Sequence, residues 1–415
     1  MHLSRLFSLL GPGIIWAATS IGVSHIVQST RAGADFGYAL LGIVLLAHVV
    51  KYPFFLFGPK YAGLTGKSLL DGYKSVGNWA FYLFLFLTFV TMFFVQAGVT
   101  IVTAALAVNL FGTVLSLAQW AALILVLVCA VLLIGHYRML NNMLKWMMLV
   151  LVICSVIAWF AVVGKVGLSP ADNAPVISLT STASIAFIVA LVGWMPTAIE
   201  VSVWHSLWTL SRVEKPGVKA ANNATLDFNI GYGTSLMLAL IFLSLGAMLM
   251  FGQGIGFANS AAAFAGQLVG IYTQALGDWS WLLMAIVTFV ALFSTTFAVA
   301  DGFPQVWGRA SQLLRNSEGE SKSGKGYVVS LLLLAFGSWW IIKDFAADIK
   351  GLLDFVTTVS FVSAPIYAWL NYKVITSDEV AEEHKSTGWF KHYTHACLVL
   401  LTGFSGFFLW WKFLA

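Results

Sequence analysis

Two short clusters of polar and helix-breaking residues interrupt long apolar stretches of this 415-residue sequence. The first is SIGVSH at positions 20–25, and the second is GWMPT at positions 193–197. Hydroxyl and imidazole groups donate and accept hydrogen bonds, and the Met thioether is a soft ligand. Pro removes a backbone hydrogen bond inside a helix, which frees polar backbone groups. Because the sequence pairs no nucleophile with a base, the clusters favour ion binding over catalysis.

The composition places these clusters inside a membrane. Apolar residues make up 60% of the chain and charged residues only 9%, whereas soluble domains carry about 25% charged residues. Continuous apolar runs such as 80–94 do not alternate as barrel strands do. The net charge of +5 is typical of basic cytoplasmic loops and does not indicate a nucleic-acid partner. We therefore predict an all-α polytopic membrane protein that is not an enzyme.

Apolar runs of about 20 residues predict eleven transmembrane helices. With a cytoplasmic N-terminus, seventeen of the 22 Lys and Arg residues lie on the cytoplasmic side and five lie outside, as the positive-inside rule requires. We predict a monomer in the lipid bilayer of a bacterial inner membrane, with an external C-terminus. The predicted spans are 11–33, 38–59, 79–110, 116–134, 143–164, 182–210, 229–251, 280–308, 327–343, 351–371 and 393–413.

The two clusters fall in the first and the sixth of these spans. Interrupted helices at corresponding places in two halves of a chain are typical of secondary transporters built from inverted repeats, whose binding site lies at the bilayer midplane. We predict one transporter domain over 1–415, with five-helix repeats at about 11–164 and 182–371. The span 393–413 is an additional helix.

The residues around both breaks and the layout of the spans resemble those of a known family. The stretch from Gly11-Pro12 to Phe36-Gly37-Tyr38, the Met195-Pro196 pair and the eleven spans resemble the NRAMP family of divalent metal transporters. The resemblance implies the LeuT fold, with a 5+5 inverted repeat and helices 1 and 6 interrupted. It also implies a metal site, but the family's Asp-Pro-Gly-Asn is replaced here by GVSH at positions 22–25.

Other ligands and proton-transfer residues of the family are missing as well. The family's Met-Pro-His in the sixth span becomes Met195-Pro196-Thr197, and an Asp and a Glu of its third span fall near Ala97 and Thr100. A transition metal needs carboxylate, imidazole or thiolate ligands. We therefore predict no transition-metal site.

The substrate site is expected where the two breaks meet. Both following half-helices would direct their N-termini at the gap, and helix N-termini bind anions. We expect no acidic side chain there, and an Asp or Glu in the gap would overturn this case for an anionic substrate. The predicted substrate-binding residues are Gly22, Val23, Ser24, His25, Met195 and Thr197.

A coupling ion is expected beside this site. In sodium-coupled relatives with the LeuT fold, the eighth span holds sodium with hydroxyl groups against carbonyls of the first break. The resemblance implies Thr19, Ser294, Thr295 and Thr296 as sodium ligands. The alternative is that these hydroxyls bond their own helix backbone, as Ser and Thr in membrane helices commonly do.

Three charged residues inside or beside the spans are candidates for a gate or pathway. Arg31 follows the first break and Lys51 lies within the second span, and each could instead extend its charged end to the membrane interface. Glu200 follows the sixth break, where an intramembrane acid needs a partner or water. It could be a gate or a member of an ion pair.

These features predict a secondary active transporter that takes up a small inorganic anion, with bicarbonate as the named candidate, coupled to sodium. Sodium is the only additional component expected. The first alternative is a carrier of Mg²⁺ or Mn²⁺ with partly hydrated metal. The second is a receptor or scaffold that has the same fold and transports nothing.

Overall fold

A computed structural model describes residues 11–414 apart from 135–136, 169–177, 179–180, 254–257, 259–260, 316–323, 346–347 and 386. Every regular element in this part of the chain is helical. The fifteen α-helices are α1 Pro12–Ser20, α2 Thr30–Phe36, α3 Leu41–Thr65, α4 Leu69–Val76, α5 Asn78–Phe111, α6 Leu117–Ile134, α7 Tyr137–Val166, α8 Thr182–Trp194, α9 Val201–Leu210, α10 Val218–Leu249, α11 Ala261–Leu276, α12 Trp281–Arg315, α13 Lys325–Phe345, α14 Ile349–Ile375 and α15 Gly388–Phe413. Short 3-10 turns cover Asp278–Ser280 and Glu382–His384, and Val23–Ser29 forms a π-helix.

The number and type of spans agree with the sequence prediction. Nine helices in the described part of the chain are long and apolar enough to cross a membrane. The first and sixth spans are each divided, into α1 with α2 and into α8 with α9. Together these elements make the eleven predicted spans, and both interruptions are where the sequence predicts them.

The divided spans lie among the most buried helices. In α3, α5, α10 and α12, 61–67% of the residues in the membrane-spanning segment are buried. In α6 and α15 only 28% and 22% of these residues are buried. Helix α10 packs against α1, α2 and α3, while α12 packs against α1 and α5. Helix α8 packs against α14. The interior helices therefore surround both interruptions, and the remaining helices face lipid.

Three local predictions differ from the structure. Helix α11 has 16 residues, too few for a span of about 20, so a search for spans misses it. Helix α4 also lies outside the predicted spans, and it begins with a capping box between Ser68 and Asp71, a local signal of a helix start. Helix α10 begins at Val218 rather than at 229, because its polar first turns continue the backbone hydrogen bonding beyond the apolar run.

Candidate functional site

The first break lies at Ile21 and Gly22. Helix α1 ends at Ser20, and the backbone leaves helical geometry at Gly22, with φ −121° and ψ −117°. A Cβ at Gly22 would overlap the hydroxyl oxygen of Thr295 on α12. Only Gly allows the chain to approach α12 this closely, so Gly22 positions the break rather than offering a side-chain ligand.

The second break lies between α8 and α9. Helix α8 ends at Trp194, Met195 is extended, and α9 begins at Val201. A Cβ at Gly193 would overlap the backbone carbonyl of Thr357 on α14. Neither α9 nor the π-helix that follows the first break has a side-chain cap at its N-terminus. The first N–H groups of α9 nevertheless have backbone partners, because Val201, Ser202 and Val203 donate to the carbonyls of Ala198, Ile199 and Glu200 at 3.1, 3.0 and 2.9 Å.

Both breaks face one small cavity. Its volume is about 20 Å³, enough for one water-sized species. Helices α5 and α12 complete the walls. The lining residues are Thr19, Val23, Ser24, Val95, Val99, Trp194, Thr197, Ala198, Glu200, Val201, Trp204, Thr295 and Val299.

The predicted substrate residues divide into two groups. Val23, Ser24 and Thr197 line the cavity, and Gly22 lies at its wall against Thr295. His25 is outside the lining and fully buried, with its ring nitrogens 2.8 Å from the hydroxyl oxygens of Ser24 and Ser235. The imidazole thus connects the π-helix to α10, and its hydrogen-bonding capacity is used within the protein.

Met195 also lies outside the cavity lining. It belongs to a separate apolar cluster with Phe36, Phe187 and Phe361. Its sulfur is 4.0 Å from the hydroxyl oxygen of Ser29, beside the first span. The thioether that the family resemblance suggests as a ligand is thus a packing group in this structure.

The four predicted sodium ligands are similarly divided. Thr19 and Thr295 line the cavity, and the Thr295 hydroxyl donates to the Ala18 carbonyl at 3.0 Å. The Ser294 hydroxyl donates to Ala291 of its own helix at 2.6 Å. The Thr296 hydroxyl is 2.8 Å from the hydroxyl of Thr103 on α5. Two of the four hydroxyls therefore line the cavity, but all four also donate to backbone carbonyls of their own helices, as the alternative to sodium binding predicts.

Glu200 lines the cavity, so the expectation of a gap without an acidic side chain is wrong. The residue is 2% exposed, and its Oε2 accepts hydrogen bonds from Thr91 at 3.3 Å and Tyr367 at 3.2 Å. Its Oε1 has no partner within the described part of the chain. Side chains lean towards the N-terminus of their helix, so an acid at the start of α9 reaches back to the break. Applied to the sequence, this geometric rule would have placed the Glu200 side chain at the break.

Trp204 is a lining residue that the sequence analysis missed. It lies four residues after Glu200 on the same face of α9, and its indole N–H has no partner in the part of the chain that the structure describes. The cavity wall thus contains one unpartnered acceptor and one unpartnered donor. Tryptophan is common in membrane helices, so the residue type alone did not indicate that Trp204 lines the site.

Lys51 contacts the second break from α3. Its fully buried ammonium donates to the carbonyls of Val192 at 2.6 Å, Gly193 at 2.8 Å and Thr197 at 3.3 Å. The alternative in which its charged end extends to the membrane interface is wrong, because the side chain lies in the protein interior. The positive charge of Lys51 and the carboxylate of Glu200 are therefore both associated with the same break.

Arg31 lies away from the cavity and joins two spans. Its guanidinium forms paired hydrogen bonds to Asp354 on α14, at 2.8 and 3.3 Å, and another to Gln28 at 3.0 Å. It also stacks 4.9 Å above the ring of Phe187 on α8. This arrangement links α2, α8 and α14, and Arg31 is not among the residues that line the cavity.

The described residues contain no group of three or more His, Cys, Asp or Glu side chains arranged to hold a metal ion. The cavity lining combines one carboxylate with hydroxyl groups, an indole and the N-terminal ends of the π-helix and of α9.

Comparison with known proteins supports the fold and the family. The family model "Natural resistance-associated macrophage protein-like" matches residues 13–411. An uncharacterized protein, PM0681, from Pasteurella multocida is 31% identical over 408 residues, which cover 97% of this chain and 92% of that protein. These matches extend across almost the whole sequence.

Solved structures show the same architecture. A mutant of the Eremococcus coleocola manganese transporter superposes with a TM-score of 0.72 at 15% identity, covering 98% of this chain and 87% of that one. MhsT in complex with L-phenylalanine gives a TM-score of 0.59 at 11% identity, covering 95% and 97% of the two chains. At these identities the likeness concerns the fold alone. The chain is a multi-pass membrane protein with the LeuT fold, it is not an enzyme, and it belongs to the Nramp family of secondary transporters.

Proposed function

We propose that this protein transports a small inorganic anion, with bicarbonate as the named candidate, together with sodium. The observation that carries the proposal is the shared cavity, where the N-terminal ends of the π-helix and of α9 meet one carboxylate and several hydroxyl groups. Helix N-termini stabilise anions. The hydroxyl of Thr197 and the indole N–H of Trp204 supply further donors for anion oxygens, whereas the Ser24 hydroxyl already donates to the Ser20 carbonyl.

In this proposal the same cavity supplies the ligands of a sodium ion. The free Oε1 of Glu200 and the hydroxyl oxygens of Thr19 and Thr295 are hard oxygen ligands of the kind that such a cation prefers. The volume of about 20 Å³ fits one ion of this size. Bicarbonate is larger, so its entry requires the two half-helices to separate, as alternating access does around a midplane site.

Glu200 removes the acid-free gap on which the prediction of an anionic substrate was based, so the anion now depends on charge balance. One negative group, Glu200, and one positive group, Lys51, are associated with the sixth break. Sodium with bicarbonate adds no net charge to this pair. A divalent cation would add two positive charges to a site with a single carboxylate, and such a site compensates poorly for the lost hydration. Net neutrality therefore favours binding of sodium together with bicarbonate over binding of a divalent cation.

The second candidate is a divalent metal carrier, and Glu200 is the observation that favours it. Its free oxygen could bind Mg²⁺ or Mn²⁺ that keeps several waters. The solved relative from Eremococcus coleocola is described as a manganese transporter, although the structural likeness does not extend to its substrate. A receptor or scaffold without transport is the third reading. All three are compatible with a bacterial inner-membrane protein whose N-terminus is cytoplasmic and which acts as a monomer.

Uptake into proteoliposomes separates these candidates. We expect labelled bicarbonate to accumulate several-fold above equilibrium with an inward sodium gradient, and not with an equal potassium gradient. Manganese uptake without bicarbonate uptake would establish the second candidate. Absence of flux for both ions, in vesicles where the protein is shown to be folded, would favour the receptor or scaffold.

A further inference from the structure

Lys51 lies at a place where a cation is expected. Its ammonium is fully buried in the middle of α3, and its three hydrogen bonds go to backbone carbonyls at the end of α8 and within the break that follows. None of these partners is a carboxylate. The contacts at 2.6, 2.8 and 3.3 Å match the three donors of one ammonium group.

The position of these carbonyls explains why a buried cation is favourable here, even though Val192 also accepts a hydrogen bond from the Met195 N–H at 3.4 Å. The last carbonyls of a helix have no intrahelical partner, and the C-terminal end carries a partial negative charge. Inside a membrane such groups must be satisfied by protein, water or an ion. In transporters with broken helices, unwound carbonyls and half-helix ends coordinate the coupling cation.

We propose that the carbonyls of Val192, Gly193 and Thr197 form a monovalent-cation site that the protein fills with its own Lys51 ammonium. This tethered cation holds the end of α8 at the break. Because it is covalently attached, it cannot be transported, and any mobile coupling ion must bind elsewhere. The inference depends only on these contacts and holds whether the substrate is bicarbonate, a metal or another ion.

The surroundings of Lys51 make the site testable by chemical rescue. A cavity of about 310 Å³ lies beside Lys51, with mainly apolar walls from α3, α8 and α15. Two of its lining residues, Leu46 and Leu400, are 54% and 53% exposed on the lipid-facing surface. A small ammonium ion added in excess can therefore enter this cavity and reach the carbonyls once the Lys51 side chain is shortened.

The experiment measures the melting temperature of purified variants without any transport substrate. Lys51→Ala should melt several degrees below wild type because three buried carbonyls lose their donor. Methylammonium chloride should raise its melting temperature by about 2 °C or more. Tetramethylammonium, which has no N–H donor, should not. Lys60→Ala, nine residues further along α3, is the matched control and should not respond to either salt.

Two further variants keep the inference falsifiable if Lys51→Ala does not fold. Lys51→Met retains the volume without donors and should melt below wild type, whereas Lys51→Arg supplies donors and should not respond to methylammonium. Equal melting temperatures for Lys51→Met and wild type would overturn the proposal. A Lys51→Ala protein that is indifferent to methylammonium would also overturn it. Because no substrate is present, failure of bicarbonate transport would leave this result unchanged.

Discussion

Glu200 determines the charge of the cavity between the two breaks. One of its oxygens is held by Thr91 and Tyr367, and the other has no partner in the described residues. A buried carboxylate needs a cation, a proton or a hydrogen-bond donor. In our proposal sodium supplies that positive charge, so Glu200 should control sodium dependence more strongly than any other acid of the protein.

Glu200→Gln tests this role. The amide keeps the shape but removes the charge, and a hydrogen bond to a charged group contributes about 1.5–3 kcal/mol. We expect sodium-dependent bicarbonate uptake to fall about tenfold or more. Glu382→Gln is the control, because the Glu382 side chain is 88% exposed. An unchanged sodium dependence in Glu200→Gln would remove Glu200 from the coupling site.

Gly22 offers a second test at a single position. A methyl group there would overlap Thr295, and overpacking a buried contact costs about 1–3 kcal/mol. We expect Gly22→Ala to lower the melting temperature and to abolish most uptake. Gly233→Ala on α10 is the matched control, because nothing lies within 4 Å of a Cβ at that position. Full transport by Gly22→Ala would show that close packing at the first break is dispensable.

Among the helices, we propose that the link from α2 to α14 acts as an outer gate. The Arg31–Asp354 pair joins them, and Asp354 is 41% exposed, so the pair contributes no more than about 1 kcal/mol. An interaction of this strength can keep the pathway to the cavity closed and still be broken during each transport cycle. The sequence placed Arg31 near the outer interface but gave no indication of its partner, because ion pairs between distant spans leave no local pattern.

Asp354→Asn should open this gate more often. With Cys introduced at Thr197 as a reporter beside the cavity, we expect a membrane-impermeant thiol reagent to label the Asp354→Asn protein up to about fivefold faster. Asp278→Asn, at the start of the 3-10 turn before α12, serves as the control and should label at the parent rate. Equal labelling rates for both variants would show that the pair does not restrict access.

On the side predicted to be cytoplasmic, Glu379 ties the segment after α14 to α3 and α4. Burial raises the pKa of Glu379, but hydrogen bonds from Lys67, Tyr61 and Ser75 outweigh it and hold the pKa below the ordinary value of 4.5. A lowered pKa stabilises the folded protein above pH 4.5, and this contribution is lost as the pH falls through the folded-state pKa.

Glu379→Gln should therefore melt slightly below wild type at pH 7, by the equivalent of less than about 1 kcal/mol because Lys67 is half exposed. The difference should shrink below pH 4.5 as wild-type Glu379 becomes protonated. Melting curves across pH 3.5–7.5 measure it. A difference that persists unchanged at the acid end would assign the effect to packing rather than charge.

At the scale of the whole molecule, the sequence predicts the architecture well and the site less completely. Apolar runs identify all eleven spans, and Gly and Pro identify both breaks, because membrane insertion depends on local composition. Ser24 and Thr197 were found because they lie within the breaks. Glu200 and Lys51 were predicted as gate or pathway candidates and not as groups at the cavity, since their positions depend on helix direction and on packing between spans.

The directions of the side chains at each break explain the other differences. His25 and Met195 were expected at the site from their place in the breaks, but a π-helical turn and an extended residue direct them to Ser235 and to Phe187. A one-residue change in rotation redirects a side chain by about 100°. No property of the sequence alone fixes that rotation.

The central claim is that one cavity binds sodium and an anion together. Its most direct test is the melting temperature of the purified protein with sodium, with bicarbonate, with both and with Mn²⁺. Because coupling between two ligands is reciprocal, each of sodium and bicarbonate should strengthen binding of the other, and the two together should raise the melting temperature by more than the sum of their separate effects. Mn²⁺ at micromolar concentration should have no effect. A saturable rise with Mn²⁺, together with no response to bicarbonate in the presence of sodium, would contradict the account.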